Sequence, residues 1–252
     1  MKTTILQMDM AWGDRTGNVR KADAMIDVTP GADLYIFPEM FTTGFSMDTE
    51  NMAEDEDGET LEWMCRKATE KDAAIAGSVA VRCGTRFFNR MYFVRPGGDV
   101  TAYDKRHLFS FASEDRHFTR GEKRVVTEWR GVRILLQVCY DLRFPVFSRN
   151  HGDYDMAIYV ASWPESRIGA WDTLLHARAI ENQCYVAGVN RTGRDPDCGY
   201  CGNSLVADPY GNNIAVCRDN EECAATADID METLRAFRKK FPVLKDADII
   251  HV

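Results

Sequence analysis

Short apolar runs alternate with amphipathic stretches along most of the chain. The runs Thr3–Met8, Leu34–Phe37 and Val132–Val138 have the length and composition of buried β-strands. The stretch Asn18–Val28 has apolar residues at helical spacing and predicts a helix with Asn18 as its N-cap. Further strands are predicted at Ala74–Val81, Met91–Val94, Ala157–Ala161, Tyr185–Val189, Ser204–Ala207, Ile214–Cys217 and Ala224–Ile229. Further helices are predicted around Leu61, Met64, Cys65 and Ala68, from about Glu165 to Cys184, and from Met231 to Lys240.

The order of these elements indicates the class of fold. Strands and helices alternate early in the chain, whereas the later strands follow one another as hairpins do. This order favours a single α/β domain over residues 1–252, with mixed rather than purely parallel sheets. The tail from Phe241 to Val252 ends in the apolar pair Ile249-Ile250, which we expect to dock against its own or a neighbouring subunit.

Composition and charge limit the classes of partner that the protein can be expected to bind. The chain is 45% hydrophobic and 28% charged, which is typical of a soluble globular protein, and its formal net charge is -8. Nucleic acid or an anionic membrane would need a basic face, so neither is expected as a partner. No apolar run approaches the ~18 residues of a membrane helix. Gln7 and Asp9 interrupt the first apolar stretch, so we expect a strand there rather than a signal peptide, and a cytoplasmic protein.

The eight cysteines are expected to be free thiols, because the chain is long and carries no visible export signal. Cys198 and Cys201 form a CxxC pair, with Cys217 and Cys223 further on, and a structural zinc site is one alternative for these four. The second pair is separated by five residues, however, rather than the two that are usual in zinc ribbons. A redox CxxC is also disfavoured, since no thioredoxin-like βαβ unit surrounds it.

The segment VRILLQVCYDLRFP, Val132 to Pro145, carries the clearest chemical signal. A buried strand runs directly into Cys139, as it does where a nucleophile sits on a sharp strand-to-helix turn. The alternative is that Cys139 is a small core residue. A reactive thiol also needs a base or a nearby cation, which one of the five histidines or a carboxylate could supply. Glu39 directly follows the buried strand LYIFP, and Lys105 follows a strand and a Gly-rich turn.

Three segments together resemble the nitrilase superfamily of carbon–nitrogen hydrolases. PEMFTTGF (Pro38 to Phe45) resembles its glutamate motif, YDKRHLF (Tyr103 to Phe109) its lysine motif and VCYDLRFP (Val138 to Pro145) its cysteine motif. The resemblance continues from Ser162 to Gly193 and into KKFPVLKDAD, so it covers nearly the whole chain. Within the superfamily the chain is most similar to the omega-amidases, which deamidate 2-oxo-acid omega-amides such as 2-oxoglutaramate.

This resemblance implies a four-layer αββα sandwich with two mixed sheets, and a homodimer or higher homo-oligomer. It also implies catalytic roles for Glu39, Lys105, Glu114 and Cys139. Glu114 is the best match for the family's second glutamate because of its interval to Gly121, and the adjacent Asp115 has a shorter reach. In the implied reaction Glu39 is the base and Cys139 forms a thioester, while Lys105 and the backbone N–H of Tyr140 hold the oxyanion. No metal or organic cofactor is required.

The substrate pocket is less defined by the sequence. The resemblance implies that Phe45 and Trp163 line it, and a bidentate arginine, Arg167 or Arg191, is a candidate for binding the distal carboxylate. The alternative for each arginine is a surface position. Two other functions remain open: an amidase or carbamoyl hydrolase with another small substrate, and a non-catalytic binding module on the same fold.

Overall fold

Two mixed β-sheets lie face to face in the computed structural model, which describes residues 1–248. The strands of the first sheet are β1 (Lys2–Gln7), β2 (Leu34–Ile36), β3 (Glu54–Asp55), β4 (Ala74–Cys83), β5 (Arg86–Val94), β6 (Val100–Asp104) and β15 (Cys223–Asp228). Their order is β15-β1-β2-β4-β5-β6, with β3 also paired to β4. Strands β1, β2 and β4 run parallel, whereas β15, β5 and β6 pair antiparallel to their neighbours.

The second sheet has the order β14-β13-β10-β9-β8-β7. Its strands are β7 (Val126–Trp129), β8 (Val132–Val138), β9 (Met156–Ala161), β10 (Tyr185–Asn190), β13 (Leu205–Ala207) and β14 (Asn213–Val216). The central strands β8, β9 and β10 are parallel, so their carboxyl ends meet at one edge of the sheet. A separate hairpin, β11 (Thr192–Arg194) with β12 (Gly199–Cys201), extends beyond β10.

Helices either pack against the two sheets or lie in the connections between strands. They are α1 (Arg15–Asp27), α2 (Thr49–Met52), α3 (Glu59–Lys71), α4 (Glu114–His117), α5 (Pro145–Ser148), α6 (Ile168–Asn182) and α7 (Met231–Lys240). Short 3₁₀ segments lie at Ser110–Ala112, Cys139–Arg143, Glu165–Arg167 and Val243–Asp246. Leu6 packs in one core with residues of α1 and α3, whereas Ile5 belongs to the core shared with the second sheet and α6. Successive side chains of a strand point to opposite faces of the sheet, so one face packs on the other sheet and the opposite face packs on helices. This arrangement gives the expected αββα layers.

Several elements match their sequence-based predictions closely, and others differ for physical reasons. β8 and α7 have the predicted bounds, but β5 begins at Arg86 rather than at Met91. Asn18 is not an N-cap: α1 begins earlier, and the Asp14 side chain accepts the cap hydrogen bond from the Gly17 N–H. Asn18 is instead buried inside the helix, where its side chain bonds the backbone of Ala11 and Thr42.

The predicted helix between Glu165 and Cys184 is divided into a 3₁₀ turn and α6, and the apolar residue Ile180 within it is 54% exposed. The tail beyond α7 is described only as far as residue 248. Within it, the Phe241 carbonyl accepts a hydrogen bond from the Gln183 side chain at 2.7 Å. The predicted docking of Ile249-Ile250 lies outside the described residues.

Candidate active site

Cys139 lies on a tight turn at the carboxyl end of β8. Its backbone φ is +47°, a left-handed conformation that is uncommon for a residue with a side chain. The 3₁₀ segment Cys139–Arg143 starts at this turn, so the backbone N–H groups that follow Cys139 are at the start of a helical turn, where they have no intrahelical acceptor. The cysteine is 9% exposed, which leaves it open to a small molecule on one side.

The turn is held by the buried carboxylate of Asp141. Its Oδ2 accepts hydrogen bonds from the Val138 N–H at 2.9 Å and the Tyr103 hydroxyl at 2.7 Å. Its Oδ1 accepts the His107 N–H at 3.0 Å and lies 2.7 Å from His107 Nδ1. Since Tyr103 and His107 flank Lys105 in sequence, Asp141 ties the cysteine turn to the lysine segment.

Lys105, Glu39 and Glu114 form a buried cluster next to the cysteine. Lys105 Nζ donates to Glu39 Oε1 at 2.8 Å and to Glu114 Oε1 and Oε2 at 3.0 and 2.8 Å. All three side chains have zero solvent exposure. Glu114, at the start of α4, also accepts the Phe109 N–H at 2.6 Å. The structure thus brings together four residues that are widely separated in sequence and were predicted as the catalytic set.

The electrostatics of this cluster determine the resting state of the thiol. Burial raises the pKa of Cys139 well above its ordinary value, and the charge of Glu39 raises it further, while Lys105 acts in the opposite direction. Burial would lower the pKa of Lys105, but the carboxylates of Glu114 and Glu39 outweigh it and raise that pKa. The ammonium group is therefore charged and the thiol neutral at rest, so a base must remove the thiol proton during the reaction.

The pKa of Glu114 is raised chiefly by its own burial, with the charge of Lys105 opposing and that of Glu39 adding to the shift. Two carboxylates lie beside one ammonium group, and burying two negative charges away from water is costly. This cost favours binding of a proton by one of the two carboxylates. The cluster can therefore accept the thiol proton without a histidine. None of the histidines within residues 1–248 lines the cavity in front of Cys139.

Two polar partners of the cluster were missed by the sequence analysis. Asn89, on β5, donates from Nδ2 to Glu39 Oε1 at 2.7 Å and to Glu114 Oε1 at 3.1 Å. The Ser162 N–H, just after β9, donates to Glu39 Oε2 at 2.9 Å. The only available signal was an asparagine inside the apolar strand FFNRMYF, where asparagine is disfavoured.

A cavity of about 210 Å³ opens in front of Cys139. Drug-sized ligands occupy pockets of ~300–1,000 Å³, so this one suits a small substrate. Its lining includes, as expected, Glu39, Cys139, Tyr140, Phe45, Trp163 and Arg167, whereas the fully buried Lys105 and Glu114 are not among the lining residues. The lining residues that sequence reasoning missed are Trp12, Met47, Phe109, Ala112, Arg143, Ser162, Pro164, Asp195, Asp197, Cys198 and Tyr200.

Two arginines bring positive charge to this cavity. The Arg143 guanidinium lies over the Trp163 ring, 4.8 Å from its centroid, and that of Arg167 lies 5.3 Å from the Phe109 ring. In the described part of the chain, neither guanidinium has a hydrogen-bond or ion-pair partner, and each lies against an aromatic ring instead. A guanidinium without a partner at a cavity wall is suited to binding a carboxylate of the substrate.

Arg191 does not line the cavity, and its predicted contact with substrate is not supported. It is fully buried behind Tyr200, 4.6 Å from that ring, and donates to the carbonyls of Met10, Thr192 and Arg194. These contacts hold the hairpin β11–β12 against the end of β1. The sequence could not indicate this, because the carbonyl partners are set by backbone geometry rather than by residue type.

The remaining cysteines are free thiols, and they do not form one cluster. Cys198 lines the cavity, whereas Cys217 donates to the Cys223 carbonyl at 3.7 Å. Over residues 1–248 there is no group of three or more side chains arranged to hold a metal ion. Within the same range, no helix is long and apolar enough to cross a membrane.

A thiol on a strained turn, a buried carboxylate and a buried ammonium group define a cysteine-dependent acyl hydrolase of the αββα class. Comparison with known proteins agrees. The chain matches the carbon–nitrogen hydrolase family over residues 2–239 and belongs to that family. It is 47% identical to an omega-amidase, YafV, of Escherichia coli K12 over 98% of this chain and 97% of that protein.

Two other relatives extend the comparison. The chain is 36% identical to a 2-oxoglutaramate amidase of Bacillus subtilis strain 168, over 98% of both chains. A crystal structure of a CN-hydrolase superfamily protein from Xanthomonas campestris, with an arsenic adduct in its active site, superposes with a TM-score of 0.97. That protein is 41% identical to this one, and the match covers 100% of this chain and 98% of the other. The nitrilase-like fold predicted from the sequence is thereby confirmed.

Proposed function

We propose that this protein is an omega-amidase that hydrolyses 2-oxoglutaramate or 2-oxosuccinamate to the 2-oxo dicarboxylic acid and ammonia. The observation that carries this proposal is the position of Cys139, which lies between the buried Lys105–Glu39–Glu114 cluster and a small cavity with two free arginines. The similarity to omega-amidases over nearly the whole chain supports the same conclusion.

In the first half of the reaction, Glu39 takes the proton of Cys139 as the sulfur attacks the amide carbonyl carbon. Lys105, whose three N–H donors are directed at Glu39 and Glu114, stabilises the oxyanion of the tetrahedral intermediate through its positive charge. The Tyr140 N–H donates a hydrogen bond to the oxyanion, and one such donor is typically worth about 3–4 kcal/mol of barrier. Glu39 returns the proton to the leaving nitrogen, the C–N bond breaks, and ammonia departs. A thioester then joins Cys139 to the acyl group.

In the second half, Glu39 takes a proton from water while the water oxygen adds to the thioester carbonyl. The second tetrahedral intermediate expels the sulfur, which regains its proton from Glu39, and the free acid leaves. Glu114 keeps Lys105 oriented through two hydrogen bonds during both halves. Every proton transfer is made by this chain's own residues and water, so the proposal requires no cofactor or metal.

Two arginines at the cavity, rather than its overall charge, support a substrate with a carboxylate at the end opposite the amide, because Asp195 and Asp197 line the cavity as well. Arg143 and Arg167 are the cations that line the cavity in the described chain, and each has an unoccupied fork of N–H donors. Phe45, whose ring lies 5.2 Å from Lys105 Nζ, and Trp163 would flank the carbon chain between the two ends.

Ammonia release measured over a panel of amides tests the proposal. The panel comprises 2-oxoglutaramate, 2-oxosuccinamate, glutamine, N-carbamoyl amino acids and short nitriles, with Cys139→Ala as the inactive control. We expect turnover of the two 2-oxo acid amides. Turnover of other amides alone would instead indicate a different member of the amidase class, and no turnover of any compound would favour a non-catalytic binding module.

We further propose that the protein acts in the cytoplasm as a homodimer or higher homo-oligomer built from one domain per chain. The absence of a basic nucleic-acid-binding composition, with a net charge of -8, supports a small-molecule role. Light scattering of the purified protein tests the oligomeric state, and a strict monomer would contradict that part of the proposal.

A further inference from the structure

We propose that Asn89 is a positioning residue of the reaction. Its amide holds the carboxylates of Glu39 and Glu114 in place and leaves one oxygen of Glu39 free for the thiol proton. The inference rests on the proposed function, because it concerns the atom that acts as base in that reaction.

Asn89 contacts every member of the cluster behind Cys139. One nitrogen, Nδ2, donates to Oε1 of Glu39 and to Oε1 of Glu114. The backbone carbonyl of the same residue accepts the Lys105 N–H at 2.9 Å. Asn89 has zero exposure, so water does not compete for these hydrogen bonds. Its position on β5 therefore fixes the relative placement of the two carboxylates and the start of the lysine segment.

A count of hydrogen bonds identifies the oxygen that remains available. Each oxygen of a carboxylate has about two acceptor sites. Oε1 of Glu39 accepts from Lys105 at 2.8 Å and from Asn89 at 2.7 Å, so both of its sites are used. Oε2 accepts only the Ser162 N–H within the described chain, at 2.9 Å, and keeps one site. Oε2 is thus the atom that takes the proton from Cys139.

The conformation of Asn89 is determined by these carboxylates rather than by packing. If the amide were reversed, its oxygen would face two carboxylate oxygens, which cannot donate to it while ionised. In the observed orientation, Oδ1 is buried with no partner among residues 1–248. An asparagine inside a strand, with one buried polar atom unsatisfied, is unfavourable for stability. Its two donated hydrogen bonds account for its presence there.

Replacement of Asn89 by leucine, which has similar size and no donor, tests the inference. We expect kcat for 2-oxoglutaramate to fall about 10- to 100-fold, the range for losing hydrogen bonds to a charged group. KM should change by less than about threefold, since Asn89 does not line the cavity. Asn89→Thr, which retains one donor, should recover part of the loss and gives a second variant if the leucine variant fails to fold.

A double-mutant cycle with Glu114→Gln separates positioning from a general loss of stability. If Asn89 acts through both carboxylates, Asn89→Leu should lower kcat by a smaller factor in the Glu114→Gln background than in the wild type, because only its hydrogen bond to the Glu39 carboxylate is then left to lose. Asn150→Leu is the matched control, because Asn150 is also a buried asparagine with side-chain bonds to two carbonyls, those of Tyr154 and Asn182, away from the site. It should lower stability without a comparable loss of kcat.

The outcomes distinguish this inference from the proposed function. A wild-type kcat in folded Asn89→Leu, or equal losses of kcat in both backgrounds of the cycle, would overturn the role of Asn89 and leave the proposed function standing. Ammonia release that persists in Cys139→Ala would instead overturn the proposed reaction.

Discussion

The buried cluster behind Cys139 and the cavity in front of it are held in place in different ways. Lys105, Glu39 and Glu114 have no exposure, and each makes several hydrogen bonds within the cluster. At the cavity, Arg143 and Arg167 are half-buried and are supported by aromatic rings, without an acidic partner in the described chain. The first region is fully preorganised, whereas the second keeps its donors unoccupied for a substrate.

This difference assigns the two regions different tasks. Groups that stabilise a transition state work best when they need no reorganisation during the reaction. Groups that recognise a substrate need free donors before it binds. Changes in the cluster are therefore expected to lower kcat, and changes at the cavity to raise KM.

The largest expected effect comes from Glu39→Gln, which keeps the shape of the side chain but removes the base. We expect kcat to fall by about three orders of magnitude or more, within the range of general-base contributions. Ammonia release under saturating substrate measures it. Glu54→Gln is the matched control, since Glu54 is also buried but, among residues 1–248, its side chain bonds only to Thr60 and Arg15. Activity above a tenth of wild type in Glu39→Gln would assign the base to another group.

The ionisation state of Cys139 shows whether the thiolate is present before substrate binds or forms only during the reaction. Burial raises the folded-state pKa of this thiol above its usual value of 9.0. The thiol is therefore expected to stay protonated at every pH up to about 9.0. The difference in ultraviolet thiolate absorbance between wild type and Cys139→Ser should be absent at neutral pH and appear only above pH 9. A thiolate signal near neutral pH would show a preformed ion pair instead.

The sequence was sufficient to predict those parts of the site that depend on a local pattern of residues. β8 runs directly into Cys139 as predicted, because the mainly apolar strand VRILLQV ends at Val138 and a tight turn begins at the next residue. The roles of Asn89 and Arg191 depend on which strands lie side by side and on where carbonyl groups point. Asn18 was misassigned for a similar reason, since its bonds to Ala11 and Thr42 are tertiary contacts that override its preference for a helix end.

At the cavity, Arg143→Gln should raise KM for 2-oxoglutaramate about 10- to 100-fold, through the loss of charge-assisted hydrogen bonds to a carboxylate. The effect on kcat should be smaller. A neutral short amide that the enzyme also accepts is the internal control, because it has no carboxylate for Arg143 to bind and its KM should not change. An equal rise in KM for both substrates would mean that Arg143 shapes the cavity rather than binding charge.

The smallest expected effect concerns the support of Arg167 at the cavity mouth. Its guanidinium lies 5.3 Å from the Phe109 ring and 5.8 Å from that of Phe111, which is 83% exposed. A cation–π contact at such an exposed site is worth about 0.5–1 kcal/mol. Phe111→Ala should therefore raise KM for 2-oxoglutaramate about two- to fivefold, because Arg167 would have more conformations available before substrate binds.

Phe241→Ala is a matched control for this prediction, since Phe241 is also exposed and does not line the cavity. Phe111→Ala should change the free energy of unfolding little, because its ring buries little apolar surface, whereas Phe241→Ala should lower it somewhat more, because Phe241 is only 59% exposed. A loss of kcat in Phe111→Ala with KM unchanged would contradict the separation of tasks between cluster and cavity. It would mean that the cavity mouth takes part in the chemical step or in product release, and Arg167 would then need to be tested as part of the reaction itself.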